Sequence, residues 1–120
     1  IPQISILVGN AALFLPQELQ RGADGAMTGF AYPEMLVKVV AQHKAGDVDG
    51  AEDLFDAYLP MVRYEQQLGA GLAIRKEILH RRGVIGSAKV RAPGPTLTPR
   101  DHDDLTRLMN RLDQKLSEFE

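Results

Sequence analysis

The chain has 120 residues, of which 44% are hydrophobic and 25% charged, a composition typical of one soluble globular domain and not of a disordered or collagenous chain. Its formal net charge of −2 argues against nucleic-acid binding, because nucleic-acid binders more often carry a basic face. It has no cysteine, which excludes disulfides, thiolate nucleophiles and cysteine-ligated zinc. No apolar run approaches the ~20 residues that span a bilayer. We therefore expect a cytoplasmic protein with neither a nucleic acid nor a membrane as partner.

The first third of the chain predicts a βαβ unit. Residues 4–8 form a short, nearly all-apolar run that ends at Gly9-Asn10, as in a strand buried on both faces of a parallel sheet. A helical pattern over residues 12–21 is closed by Gly22, and a second short run follows over residues 25–30. Strand, helix and strand in so short a stretch favour a parallel pair with a right-handed crossover.

From Pro33 onward, the sequence predicts only helices and loops. The first helix begins at Pro33 and ends before Gly46, and Asp47 can cap the second. Pro60 lies inside the second helical pattern and should bend that helix near Phe55–Asp56.

The last part of the chain predicts two more helices with a loop between them. One covers about residues 72–82 and is stopped by Gly83, and residues 84–97 read as a loop. Thr98-Pro99 starts the final helix. Its apolar residues form one stripe, which predicts that it packs on another element: Leu105, Leu108, Met109, Leu112, Leu116 and Phe119.

Two buried parallel strands followed only by helices are an unusual combination for a complete domain. A parallel sheet normally has more than two strands and is covered on both faces. One explanation is a non-catalytic helical interaction domain, which requires residues 4–8 to be helical. The other is that the chain was cut from a larger α/β protein, which requires a parallel strand pair and poor behaviour without the rest.

Several motifs resemble, in order and spacing, the dihydrodipicolinate synthase / N-acetylneuraminate lyase family. Gly9-Asn10, the Gly-Ala-Asp-Gly-Ala-Met-Thr segment of residues 22–28, and Tyr32-Pro33-Glu34 resemble the family's strands seven and eight. The similarity covers about residues 5–118 and continues through Ala45-Gly46-Asp47, Leu59-Pro60-Met61, Lys76…Leu79…Gly83 and Val90-Arg91-Ala92-Pro93…Leu97-Thr98.

The resemblance implies an α/β fold, namely the C-terminal portion of a (β/α)₈ TIM barrel with a C-terminal helical extension. Residues 1–46 would hold strands seven and eight with their helices, and residues 47–120 the extension. The family's enzymes form a Schiff base between a lysine and pyruvate or a related 2-oxo acid, without a cofactor, usually as tetramers built as dimers of dimers. That lysine would lie upstream of Ile1, so this chain alone is expected to be inactive.

Within the family, a dihydrodipicolinate synthase-like activity is the first expectation. The segment Tyr64-Glu65-Gln66-Gln67 and the glycines after it depart from the synthases' N-P-x-P-x-K segment. This departure keeps a 2-keto-3-deoxy sugar acid dehydratase or aldolase as an alternative.

Four residues are the predicted substrate-binding positions: Gly9, Asn10, Met27 and Thr28. In such barrels the reacting centre lies at the C-terminal ends of the strands. The main chain at Met27 should line the pocket, and Thr28 offers a hydroxyl to a polar substrate. Alternatively, Gly9 is only a tight turn and Thr28 a satisfied strand residue. Asn10 stands where relatives often have Asp.

The other polar clusters predict structural roles. Asp101-His102-Asp103-Asp104 is better explained by the dipole of a helix N-terminus than by a metal ion. The basic group of Arg75, Lys76, Arg81 and Arg82 reads as a solvated helix face. None of the five lysines has the apolar surroundings that a Schiff-base lysine needs, and Lys76 belongs to the extension, where a structural or interface role is expected.

Overall fold

The structure is a computed structural model that describes residues 4–119. A two-stranded parallel sheet comes first and is followed by helices. The strands are β1 (Leu7–Val8) and β2 (Gly25–Ala26), and the helices are α1 (Leu15–Gln20), α2 (Pro33–Lys44), α3 (Val48–Glu65), α4 (Gly71–Arg81) and α5 (Pro99–Ser117).

The predicted parallel strand pair is confirmed. Leu7 pairs with Gly25 and Val8 with Ala26, and α1 forms the crossover between the two strands. Both strands are shorter than the apolar runs that predicted them. The alternative of a purely helical domain required a helix over residues 4–8, and that prediction is wrong.

The prediction that the first strand is buried on both faces is also wrong for the described residues. Val8 is buried in the core, but Leu7 is 55% exposed, and Ile4 and Ile6 are exposed as well. The reason is that an open apolar depression of about 430 Å³ borders both the strand pair and α2. It is lined by Leu7, Gly25, Ala26, Leu36, Val37, Val40, Ala41 and Lys44.

The junction between α2 and α3 follows the predicted chemistry. Gly46 adopts φ +88°, where a glycine is favoured, and its amide donates to the His43 carbonyl at 3.0 Å. The Asp47 amide donates to the Gln42 carbonyl at 2.9 Å, which completes a Schellman motif. The Asp47 carboxylate then caps α3 by accepting from the Gly50 amide at 3.0 Å. The helix continues through Pro60 to Glu65. The bend near Phe55–Asp56 stays a prediction.

The core lies between α2 and α3, with α1, α4 and α5 packed around it. Met35 and Val39 of α2 are fully buried, and Phe30, Tyr32 and Tyr58 form an aromatic cluster with ring centroids 5.4–6.4 Å apart. The predicted stripe of α5 faces this core through Leu105 and Leu112, which are buried.

Two polar features fix the C-terminal helices. Thr98 and Asp101 form a capping box at the start of α5, as the Thr-Pro start signal predicts. Arg81 of α4 donates to Glu77 at 2.7 Å and to Thr106 of α5 at 2.9 Å, which joins the two helices. Between residues 4 and 119, no helix is both long and apolar enough to cross a membrane.

Candidate functional site

The four predicted substrate-binding residues lie at one edge of the sheet. Gly9 and Asn10 follow β1, and Met27 and Thr28 follow β2, so both pairs stand at the carboxyl ends of adjacent parallel strands. The Met27 amide donates to the Val8 carbonyl at 2.9 Å. The Ala11 amide donates to the Thr28 hydroxyl oxygen at 2.8 Å. The fold therefore brings the two loops into direct contact.

The loop after β1 has an uncommon backbone. Asn10, Ala11 and Ala12 have φ values of 55°, 55° and 61°, in the left-handed region that non-glycine residues rarely adopt. Each such residue costs on the order of 1–3 kcal/mol unless its surroundings enforce the conformation, and such residues cluster at functional sites. Gly9 has φ −117° and open space beside its Cα. Its carbonyl accepts from the Ala12 amide at 3.0 Å, so Gly9 begins a tight turn, and its substrate-binding role stays a prediction.

The loop after β2 offers two polar groups at this edge. Thr28 uses its hydroxyl oxygen to accept from Ala11, which leaves the hydroxyl hydrogen to donate. Met27 is exposed, and among the hydrogen bonds of residues 4–119 none is accepted by its carbonyl. Thr28 is therefore satisfied as an acceptor, as one of the sequence alternatives held, and remains able to donate to a ligand.

A buried carboxylate that the sequence analysis missed stands behind the second loop. Glu65, the last residue of α3, is 1% exposed. One carboxylate oxygen accepts from the Ala31 amide at 3.0 Å, and the other accepts from Arg75 Nε at 3.1 Å. Burial raises the pKa of Glu65, and the hydrogen bond and charge of Arg75, together with the Ala31 amide, oppose that rise.

Two arginines of the predicted solvated face are in fact packed against the same loop. Arg75 lies over Gly29, where an added Cβ would come within 2.8 Å of the guanidinium carbon. Arg82 donates to the Ala31 carbonyl and to Glu34, and its guanidinium lies 4.3 Å from the centre of the Tyr32 ring. The prediction of a solvated basic face is wrong for Arg75, which pairs with the buried Glu65; Arg82 is exposed, but its guanidinium is also bound to the Ala31 carbonyl.

The first loop also contacts the end of α3. Gln66 follows Glu65 directly, and its side-chain amide donates to Asn10 Oδ1 at 2.6 Å. Sequence reasoning found Gln66 only as a departure from the family's proline-containing segment. The structure adds a direct contact with a predicted site residue.

The chain resembles parts of two known proteins, although no protein-family model matches it. It matches the crystal structure of dihydrodipicolinate synthase from Rhodopseudomonas palustris with a TM-score of 0.88 and 51% identity, over 90% of this chain and 36% of that one. It is 32% identical over 105 residues to the L-2-keto-3-deoxyarabonate dehydratase of Azospirillum brasilense, over 88% of this chain and 34% of that protein. The chain belongs to the dihydrodipicolinate synthase family.

Membership of the dihydrodipicolinate synthase family confirms the resemblance found in the motifs. The chain spans about a third of the length of each of these two relatives. Its fold therefore matches part of a dihydrodipicolinate synthase. The assignment to barrel strands seven and eight, and the roles of Gly9, Asn10, Met27 and Thr28, stay predictions.

Tyr32, Tyr64 and Lys76 have structural surroundings. Burial raises the pKa of Tyr32 to about 12, and burial together with the Asp104 carboxylate raises that of Tyr64 to about 12. Both phenols are thus protonated at neutral pH. Lys76 Nζ donates to the Lys89 carbonyl at 2.9 Å, which links α4 to the following loop. Within the described residues, no group of three or more His, Asp or Glu side chains is placed to hold a metal ion.

Replacing Thr28 by valine should loosen the contact between the two loops. Valine keeps the branched shape but leaves the part-buried Ala11 amide without its partner, which costs about 1–3 kcal/mol. We expect faster hydrogen exchange at Ala11 and a lower free energy of unfolding. Thr28→Ser keeps the hydroxyl and should exchange like the parent chain. Equal exchange in both variants would show that the hydroxyl does not hold the loop.

Proposed function

We propose that the protein containing this chain is a lyase that forms a Schiff base with pyruvate or a related 2-oxo acid, in the manner of a dihydrodipicolinate synthase. The observation that carries the proposal is the contact between two adjacent strand ends, made by Thr28 and the Ala11 amide at 2.8 Å. This contact occurs in a chain that is 51% identical to a dihydrodipicolinate synthase over the matched region.

The proposed place of the chain in that enzyme follows from its incomplete sheet. Residues 1–46 correspond to the last two βα units of a TIM barrel, and residues 47–120 to a C-terminal helical extension. The exposed Ile6, Leu7 and Val37 beside the strand pair support this, because neighbouring barrel elements would cover such a surface. The two parts share one core, in which Met35 and Val39 belong to the same buried cluster as Phe55 and Tyr58.

The proposed chemistry divides between this chain and the rest of the enzyme. A lysine outside residues 1–120 attacks the keto carbon of the substrate with its neutral amine, and loss of water gives the Schiff base. This chain contributes one wall of the pocket. The Met27 carbonyl accepts a hydrogen bond, the Thr28 hydroxyl donates one, and Asn10 offers its amide NH₂ because its oxygen already accepts from Gln66.

A second candidate is a 2-keto-3-deoxy sugar acid dehydratase or aldolase with the same Schiff-base mechanism. The curated relative from Azospirillum brasilense is a 2-keto-3-deoxy acid dehydratase by name. Gln66, in the segment that departs from the synthases' N-P-x-P-x-K, contacts Asn10 of the proposed pocket at 2.6 Å. For either activity we propose a cytoplasmic homotetramer, built as a dimer of dimers, that needs no cofactor.

Borohydride reduction tests the proposal. The full-length protein, reduced in the presence of pyruvate, should gain the mass of one reduced adduct per subunit on a lysine outside this chain. The isolated chain should gain none. No adduct on the full-length protein would refute the Schiff-base lyase, and an adduct on Lys38, Lys44, Lys76, Lys89 or Lys115 would refute the division of roles.

Turnover separates the two candidates. Release of water from L-2-keto-3-deoxyarabonate, or carbon–carbon cleavage of a 2-keto-3-deoxy sugar acid, supports the second candidate. Condensation of pyruvate with an aldehyde, together with no reaction on 2-keto-3-deoxy sugar acids, supports the synthase-like activity.

A further inference from the structure

The end of α3 touches both loops of the proposed pocket with two consecutive residues. Glu65 accepts from the Ala31 amide, three residues beyond Thr28, and Gln66 donates to Asn10. These contacts bridge sequence separations of 34 and 56 residues. One short segment of the helical extension therefore sets the positions of two loops that are far from it in sequence.

The contact to the first loop fixes both a backbone and a side chain. Asn10 is the first of three left-handed residues, a conformation that its surroundings must enforce. Gln66 Nε2 at 2.6 Å from Asn10 Oδ1 holds the amide oxygen toward α3. The Asn10 NH₂ is then the group available to a substrate oxygen.

The contacts to the second loop hold one peptide group from both sides. The Ala31 amide donates to Glu65, and the Ala31 carbonyl accepts from Arg82. Arg75 pairs with Glu65 and covers Gly29, so the segment between Thr28 and Ala31 has little freedom to shift. This segment directly follows Met27 and Thr28 of the proposed pocket.

We propose that Glu65 and Gln66, together with Arg75, are positioning residues that hold the substrate-binding loops of this enzyme in place. The inference rests on the proposed function. Gln66 acts through Asn10, and Glu65 and Arg75 act through Ala31 and Gly29, next to Thr28; none of them touches substrate itself. A small displacement of such a loop weakens its contacts with the substrate, so the effect on kcat/KM should exceed the effect on folding.

The test compares two glutamines in the full-length protein. Gln66→Met removes the donor to Asn10 on an exposed surface and keeps the side-chain length. Gln67→Met is the matched control, because Gln67 is exposed and donates to the nearby Tyr64 carbonyl instead of to Asn10. We expect KM for the 2-oxo acid to rise about 10-fold in Gln66→Met, with kcat and the melting temperature nearly unchanged. Gln67→Met should match the parent in all three.

Two further variants separate positioning from general structure. Gln66→Lys restores a donor at the end of the side chain and should recover part of the lost affinity. Arg75→Lys keeps a charge beside Glu65 but loses the planar group over Gly29, and kcat/KM should fall about 10-fold even where the protein still melts cooperatively.

The outcomes distinguish this inference from the proposed function. If the parent protein forms no borohydride-trapped pyruvate adduct, both the proposed function and the positioning role are overturned. A parent that forms the adduct, with Gln66→Met and Gln67→Met equal in KM, overturns the positioning role alone. A loss in Gln66→Met that the lysine variant does not recover also overturns it, because the donor would then not be the cause.

Discussion

Arg75→Met should destabilise the chain by about 2–3 kcal/mol at neutral pH, because it leaves the Glu65 carboxylate buried without a counter-ion. The Glu65 side chain is fully buried, but that of Arg75 is 33% exposed. The loss of stability should therefore be smaller than for an ion pair in which both partners are buried. Urea denaturation followed by far-ultraviolet circular dichroism measures the change. Arg63→Met is the matched control, because Arg63 is exposed on α3, and it should change stability little.

The effect of Arg75→Met should shrink as the pH falls. Burial raises the pKa of Glu65 and Arg75 opposes the rise, so removal of Arg75 raises that pKa further. A carboxyl group whose folded pKa is raised stabilises the fold most below its unfolded pKa of about 4.3, and this contribution is lost as the pH rises through the folded pKa. The stability difference between parent and variant should therefore be larger near pH 7 than near pH 5.

A double variant tests whether the loss of stability in Arg75→Met comes from the unpaired Glu65 carboxylate. Glu65→Gln removes the charge that Arg75→Met leaves unpaired, so the pair of changes together should cost less than the sum of the two single changes. Additive losses, or a pH-independent loss in Arg75→Met, would show that Arg75 contributes by packing over Gly29 instead of by pairing.

Leu105→Ala should lower the free energy of unfolding by a comparable amount, because it removes buried apolar contacts. Leu105 is 0% exposed and is one of two buried residues that α5 contributes to the core, the other being Leu112. Truncation of a buried leucine to alanine costs about 2–5 kcal/mol, through lost transfer free energy and the cavity that remains. The free energy of unfolding should fall by about 3 kcal/mol, and the amides of α5 should exchange faster than those of α2.

Leu68→Ala is the control for that prediction, because it makes the same chemical change at a residue that is 99% exposed. It should change stability by less than about 0.5 kcal/mol. A similar loss at both positions would mean that α5 is not held by the buried leucine.

The helices and the strand pair were predictable because their signals are local. Asp47, Gly46 and Thr98-Pro99 each satisfy backbone groups within a few residues, and the short apolar runs marked both strands. The resemblance correctly gave the family, but it placed the site only at strand ends. Exposure of Leu7 was missed because the apolar run implied cover on both faces, whereas Leu7 borders an open depression.

The partners of the residues behind the site could not be found in this way, because they are distant in sequence. Glu65 was interpreted as part of a departing motif, although it continues the buried face of Tyr58, Met61 and Val62 at helical spacing. An acid on an apolar face requires a buried partner, and that was the signal available in the sequence. The left-handed Ala11 had no such signal, since alanine does not favour that conformation and the Thr28 hydroxyl holds it in place.

The long separations between these partners affect the order of events during synthesis. Asn10 and Ala31 leave the ribosome well before Gln66 and Arg82, and the Arg82–Ala31 contact spans 51 residues. At roughly 5–20 residues per second, translation of that interval takes about 3–10 s, during which the loops lack the contacts from Gln66 and Arg82. The nascent strands thus reach the tunnel exit before their loops can take their final form. The proposed pocket wall should form only once α4 has emerged.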